Sequence, residues 1–433
     1  MGHWIITNRP FTPDANKKAD GTQTGLDIAE GSAAGDLVGG LPIFRVGRFV
    51  PPRTGGDGGS ASDGAMAASV SFVRDAFIGD YSALRDPDGG LAGGPVGVPA
   101  GVPGGLRGTL AMFAELYRDM CAAPEGKGDV LVFIHGYNYT WADSLRHLQN
   151  LIRVYAEPAA SPVSHVIYFS WPSLGDIGRY RSDREVALPA GLNFGRLFAK
   201  VVQFYRDAFE PSRGGAASTN PLGFCGKRLH VAAHSMGVQV LENFVQSVVA
   251  VPSLRVPIFS QALLLNADLD WTGLEAGRAL HELPSYADRV HVYNHRDDDA
   301  LLISETTKNS ERRLGRHGPR TMADGVISDR TVVVDCSKLH LARRDSQPGA
   351  GLGPAMSAAT GVATEASADR FSDAARRVLR GSDRTNERLF DHWGYLHRPE
   401  VVADIYRVLA GVPASEIPGR DRRDTRRYAL LPG

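Results

Sequence analysis

Ser235 is the residue of this sequence best placed to act as a nucleophile. It stands in Ala233-His234-Ser235-Met236-Gly237, after Arg228–Ala233, which reads as a strand, and before Gly237–Val249, which reads as a helix. A serine on a sharp turn between a strand and a helix is held with its Oγ exposed above a sheet, and small residues two before and two after let that turn pack against neighbouring backbone. Ala233 stands where Gly is commoner, a departure of one methyl group. A serine that merely caps a helix is the plain alternative, so the pentapeptide needs its context.

Three further segments supply that context. Upstream, the apolar run Val130–Ile134 ends in His135-Gly136-Tyr137-Asn138. The loop after such a strand can give one backbone N–H to an oxyanion, and the residue after the nucleophile gives the other. Tyr137 and Met236 are the expected donors, through their main chains, and Gly136 lets the backbone come close. His135 reads as a scaffold of that loop rather than a proton carrier. With Trp171 and Trp393 it is also a candidate for substrate binding, and Tyr137, Tyr139, Trp141, Trp171 and Trp393 together suggest an aromatic-lined cleft. An acid is expected after a later strand, where Asp297-Asp298-Asp299 follows Arg289–Tyr293. Oxygen-ligand metal loops space their carboxylates apart, so a run of three acids with divergent side chains argues against a metal; Asp268 and Asp270 compete for the role. The histidine of a triad is expected near the C-terminus, where His392 and His397 both qualify. Serine, acid, histidine is the order a strand–serine–helix elbow requires.

Elements to position these residues can be read around them. Helices are expected over Leu106–Cys121, Trp141–Ala156, Arg184–Phe209 (with a break at Pro189) and Arg398–Leu409. Strands are expected over Ser164–Ser170, Ile258–Asn266 and, last, Thr331–Asp335. Apolar strands alternating with helices imply an α/β fold, a mostly parallel sheet covered on both faces. Residues 1–105 form a Gly/Pro-rich extension with short strands at Trp4–Thr7 and Ile43–Val50. Residues 106–411 hold the main domain, with a low-complexity insertion at 341–385 that could act as a lid. Residues 412–433, with Arg420, Arg422, Arg423, Arg426 and Arg427, read as a solvated tail.

Bulk properties exclude several function classes. Lys plus Arg is 48 and Asp plus Glu is 48, so the chain lacks the basic surplus of a general nucleic-acid binder. No stretch approaches the roughly 18–20 apolar residues of a membrane span. Cys121, Cys225 and Cys336 are an odd, widely spaced set, read as three free thiols in a reducing compartment. Without the basic start and apolar run of a secretory signal, a cytoplasmic location is expected.

Val-Phe-Ile-His-Gly-Tyr-Asn (132–138), Phe-Ser-Trp-Pro-Ser-Leu-Gly (169–175), Ala-His-Ser-Met-Gly (233–237) and Tyr-x5-Asp-Ala-Leu-x-x-Ser (293–304) together resemble a bacterial α/β-hydrolase family of unknown function, described as esterase- or lipase-like. The resemblance covers roughly residues 106–411. It implies an α/β-hydrolase fold and a serine hydrolase cleaving a carboxylic ester of a small-molecule acyl substrate, with no cofactor. It places the acid at Asp298, with Asp297 a near alternative, and the histidine at His392, in a segment like His-Ser-Tyr-Tyr that leaves His397 outside. It puts Tyr180, Asp183 and Ala187 with residues 169–175 on the acyl side of a pocket. An acyltransferase or amidase using the same triad, or a binding protein that retains the triad unused, are the rival expectations.

Overall fold

A computed structural model describes residues 2–12, 23–29, 37–38, 41–42, 44–52, 61–73, 108–174, 179–209, 226–307, 309, 311–339 and 391–432. The insertion at 341–385, with its lid role, and the Gly/Pro-rich stretch at 86–105 lie outside these residues. The described strands are β1 (His3–Thr7), β2 (Leu37–Val38), β3 (Leu41–Pro42), β4 (Arg45–Phe49), β5 (Val70–Val73), β6 (Asp129–Ile134), β7 (Val163–Ser170), β8 (Leu229–His234), β9 (Phe259–Leu265), β10 (Ala287–Asn294), β11 (Thr331–Asp335), β12 (Arg420–Arg422) and β13 (Arg427–Leu430). The helices are α1 (Asp63–Ala68), α2 (Gly108–Ala122), α3 (Trp141–Leu151), α4 (Tyr180–Phe209), α5 (Gly237–Val248), α6 (Asp299–Thr307), α7 (Leu314–His317), α8 (Gly394–His397) and α9 (Pro399–Leu409).

Eleven of the strands form one sheet in the order β12-β13-β11-β10-β9-β8-β6-β7-β1-β4-β5, while β2 and β3 make a separate ribbon. From β1 across to β13 every neighbouring pair is parallel; the two ends close with antiparallel partners. The near-continuous apolar strands follow from burial on both faces. In β6, Val130, Val132 and Ile134 join one core, while Leu131 and Phe133 join the core on the other face. Strands β8 and β9 alternate in the same way, with Val231, Ala233, Ala262 and Leu264 on the first side and Ala232, Leu263 and Leu265 on the second. Each fully buried large apolar side chain contributes about 1.5–3 kcal/mol, so these strands hold the frame on which the loops at their carboxyl ends are mounted.

The long helix α4 runs through Pro189 without the expected interruption. Its Gly191 and Gly195, one turn apart, face α5. A Cβ at Gly191 would lie 2.4 Å from the Asn243 Cβ, and one at Gly195 would lie 2.5 Å from the Ser247 Oγ. Bare backbone at these two positions is what lets α4 seat against the helix that follows Ser235.

Three expectations need correction. Thr331–Asp335 is not the last strand, and 412–433 is not wholly a solvated tail. Strand β13 pairs in parallel with β11, and β12 closes the edge. Arg420 forms a forked pair with Asp404 of α9, at 2.7 Å to each oxygen, with both side chains about 1 % exposed. The strands are short and Arg-rich, so their apolar signal is weak; the buried partner at Asp404 makes Arg420 an interior residue. The three cysteines are not all free either. Cys121 is disulfide-bonded, while Cys336 is a buried free thiol. Disulfides persist mainly in oxidising compartments, which removes the cysteine count as support for a reducing one. Among the described residues, no helix is long and apolar enough to cross a membrane.

Candidate active site

The sequence of β8 leads straight into the turn at Ser235. Ser235 has φ 53°, a left-handed conformation rare for a residue with a side chain. Its N–H donates to the Leu265 carbonyl (3.0 Å), and its own carbonyl accepts from the Asp268 N–H (3.1 Å). Both bonds tie the turn to the neighbouring strand end, which is how a strained conformation of about 1–3 kcal/mol is held. Immediately after it, α5 begins with Met236 as the capping residue. The first N–H groups of a helix lack intrahelical partners and carry its positive pole, so this end of α5 suits a developing negative charge.

Glycines make the crowding possible. A Cβ at Gly237 would lie 2.4 Å from the His135 carbonyl oxygen and 2.7 Å from that of Ile134. A Cβ at Gly136 would lie 3.0 Å from the Ser235 Cβ. The start of α5, the end of β6 and the His135–Asn138 loop thus meet at Ser235. Gly237→Ala should destabilise the chain by about 2–3 kcal/mol, since the blocking atoms are backbone and cannot rotate away. Urea unfolding checks this; an unchanged midpoint would contradict the packing described.

His392 is 4 % exposed, and its Nδ1 lies 2.7 Å from Asp298 Oδ2. Asp298 directly precedes α6, and its Oδ1 accepts the Leu301 N–H at 3.0 Å in the manner of a helix cap. Its Oδ2 is shared by His392 and by Asn266 Nδ2, which donates at 2.8 Å. Asp298 is fully buried and meets three hydrogen-bonding partners there. Asp297 makes no such contact; its backbone N–H meets the ring of His295 (3.2 Å). Asp268 is occupied elsewhere, accepting from the Tyr180 hydroxyl (2.8 Å) and the Ser304 hydroxyl (2.7 Å). Asp270 pairs with Arg313 at 2.9 Å. His397 ends α8 beside Arg153, and burial together with that charge pushes its imidazole down to about 4.

Sequence reasoning passed over the neighbours that hold this pair. Asn266 follows β9 at φ 45° and also reaches toward the Asp391 carbonyl (3.4 Å); an Asn after an apolar strand was the available signal, since Asn tolerates this region. His234 Nε2 lies 2.9 Å from the His392 carbonyl, with the two rings 4.6 Å apart. Burial, then the neighbouring His392, pushes the His234 imidazole well below its ordinary value. It therefore stays neutral and donates through Nε2 to the His392 carbonyl. Arg398 braces the preceding residue, Asp391, through Nε at 3.0 Å.

The candidate substrate-binding residues divide. His135 is fully buried, stacked on Trp171 (centroids 5.3 Å, 8°) and bonded to the Gly136 carbonyl through Nδ1 (2.7 Å). Trp171, also fully buried, donates its indole N–H to the His135 carbonyl (2.7 Å). Both side chains are closed off from solvent. Tyr139 and Trp141 are buried too, so an aromatic-lined cleft is reduced to Tyr137 and Trp393, which are half-buried. Trp393 stands edge-on to the His392 ring at 5.0 Å and donates to the Tyr139 hydroxyl (3.1 Å). Tyr180, Asp183 and Ala187 are buried as well. Among the described residues, no group of three or more His, Cys, Asp or Glu could hold a metal ion.

A mostly parallel sheet flanked by helices, with Ser235 on the turn between β8 and α5, is the architecture of the α/β-hydrolase class. Within it the chain belongs to a family described as Alpha/beta hydrolase of unknown function (DUF900), whose family model matches residues 115–203 and 224–344. The matched residues include Tyr137, Ser235, Met236 and Asp298 and stop short of His392. No curated protein and no solved structure matches the chain.

Proposed function

We propose that this chain is a serine hydrolase that cleaves a carboxylic ester through an acyl-enzyme. Ser235 Oγ attacks the ester carbonyl while His392 takes its proton and later returns it to the leaving alcohol; water then repeats the sequence on the acyl-enzyme. Asp298 orients the imidazole and stabilises its charged form. The main-chain N–H groups of Tyr137 and Met236 receive the oxyanion, an interaction whose loss typically costs about 3 kcal/mol per donor. The observation that carries the reading is the buried 2.7 Å contact between His392 Nδ1 and Asp298 Oδ2, with the His392 carbonyl bonded to His234, the residue before a serine held at positive φ. Nothing in this chemistry calls on a cofactor.

A fluorophosphonate probe tests it. The wild-type chain should gain one phosphonyl group, and peptide mapping should find it on Ser235. Labelling or ester turnover that persists in Ser235→Ala would overturn the reading. Adding an alcohol or amine acceptor and analysing the products separates hydrolysis from acyl transfer by the same residues.

A further inference from the structure

The N-terminal strand contributes a side chain to the loop beside Ser235. β1 pairs in parallel with β7, Thr7 opposite Ser170, and the Thr7 hydroxyl donates to the Ser170 carbonyl at 2.6 Å. The Arg9 N–H then donates to the Thr7 Oγ1 (3.0 Å), turning the chain over the carboxyl end of β7. The Arg9 side chain is 2 % exposed. Its Nε donates to the Ser170 hydroxyl (3.1 Å), one terminal nitrogen to the Ser173 carbonyl (3.1 Å), and the other to the Tyr139 carbonyl (2.7 Å).

Ser173 continues the chain of contacts. Its hydroxyl accepts the Tyr139 N–H (3.0 Å) and donates to Asp183 Oδ2 (2.8 Å). The same carboxylate takes the Asn138 N–H (3.3 Å) and the Leu174 N–H (2.9 Å). Asn138 is itself left-handed, at φ 63°. The loop from Gly136 to Tyr139 is thus pressed against Ser235 at one end and bound at the other through the Asn138 amide and both polar groups of the Tyr139 backbone. A planar guanidinium has five donors in a fixed fork and can serve three acceptors in one arrangement, which an ammonium cannot copy.

Resting on the serine-hydrolase reading, we propose that Arg9, through Ser173 and Asp183, is a positioning residue for the oxyanion hole. It fixes the peptide that presents the Tyr137 N–H to the substrate carbonyl. Arg9 lies outside the residues matched by the family model, so the proposal gives the N-terminal extension a part in the reaction. Preorganised donors act by being in place before charge develops, and loosening one should affect the transition state more than substrate binding.

The test compares wild type with Arg9→Lys and Ser173→Ala, all in the full chain. It uses a short p-nitrophenyl ester and an alkyl trifluoromethyl ketone. With the ketone, Ser235 Oγ bonds to the carbonyl carbon, its proton passes to His392, and the resulting oxyanion occupies the hole. Each variant should lose about 10- to 100-fold in kcat with KM within about twofold, and ketone affinity should fall by the same factor as kcat. A folded Arg9→Lys with unchanged kcat, or with raised KM at unchanged kcat, would overturn the proposal. If Arg9→Lys does not fold, Ser170→Ala, which removes the hydroxyl that receives the Arg9 Nε–H, decides by the same criteria. Wild type that takes no fluorophosphonate at Ser235 would overturn the hydrolase reading and this proposal with it, whereas labelled wild type with unaffected variants overturns the positioning role only.

Discussion

Replacing Ser235 with alanine should lower turnover of a short p-nitrophenyl ester by ~10⁴- to 10⁶-fold and leave the fold intact. The large loss follows from chemistry: without Oγ there is no acyl-enzyme, and only binding and the oxyanion donors remain to help a water molecule. The small structural effect follows from what Oγ does not do. The bonds that hold the elbow run through the Ser235 N–H to Leu265 and through its carbonyl to Asp268, and alanine keeps both. Alanine also adds no bulk against Gly136. Stability should change by less than about 1 kcal/mol, read by urea unfolding beside the kinetics. A variant within tenfold of wild type in kcat would remove Ser235 from the mechanism.

Asp298→Asn should cost up to ~10⁴-fold in kcat with little change in KM. Asparagine is as good a helix cap as aspartate, so its single oxygen should keep the Leu301 N–H and the amide nitrogen should take the place of Oδ2. That nitrogen would face two donors, Asn266 Nδ2 and His392 Nδ1. The conflict is relieved if His392 shifts its proton to Nε2, the nitrogen that should accept from Ser235, and a base in that tautomer cannot accept the proton. Nitrogen-15 chemical shifts of His392 would report the tautomer directly. Wild-type kcat in Asp298→Asn, or an unshifted tautomer, would contradict the role given to Asp298. The same variant should react with a fluorophosphonate slowly but at the same residue, since Ser235 and the helix behind it are untouched.

How much of this was legible beforehand varies by residue. The turn at Ser235 and the His135–Asn138 loop announce themselves because local sequence dictates them: an apolar strand, a small residue on either side of the serine, and a glycine after His135. Ordinary strands and helices were legible for the same reason, since burial on two faces leaves a continuous apolar run. The acid was narrowed by resemblance alone. Asp297, Asp298 and Asp299 differ only in where successive side chains point, and what separates them in the fold is that Asp298 caps α6. His392 and His397 stand five positions apart, and the short helix α8 between them turns His397 toward Arg153. The strands β12 and β13 were missed because three or four residues rich in arginine carry no apolar pattern; their interior partner, Asp404, is some sixteen residues away from Arg420. His135 and Trp171 could not be told from pocket residues by type, because stacking in the interior and lining a pocket use the same rings.

Ser235 itself was determined by the sequence, together with the fold class and the loop that faces it, because each depends on residues adjacent in the chain. The tertiary structure decided which carboxylate and which imidazole meet, that Asn266 and His234 brace them, and that Arg9 reaches the loop from the N-terminus. Those are contacts between residues 32 to 164 positions apart. No local spacing encodes them, since they exist only once the strands have been brought into register and their carboxyl ends gathered at one edge of the sheet.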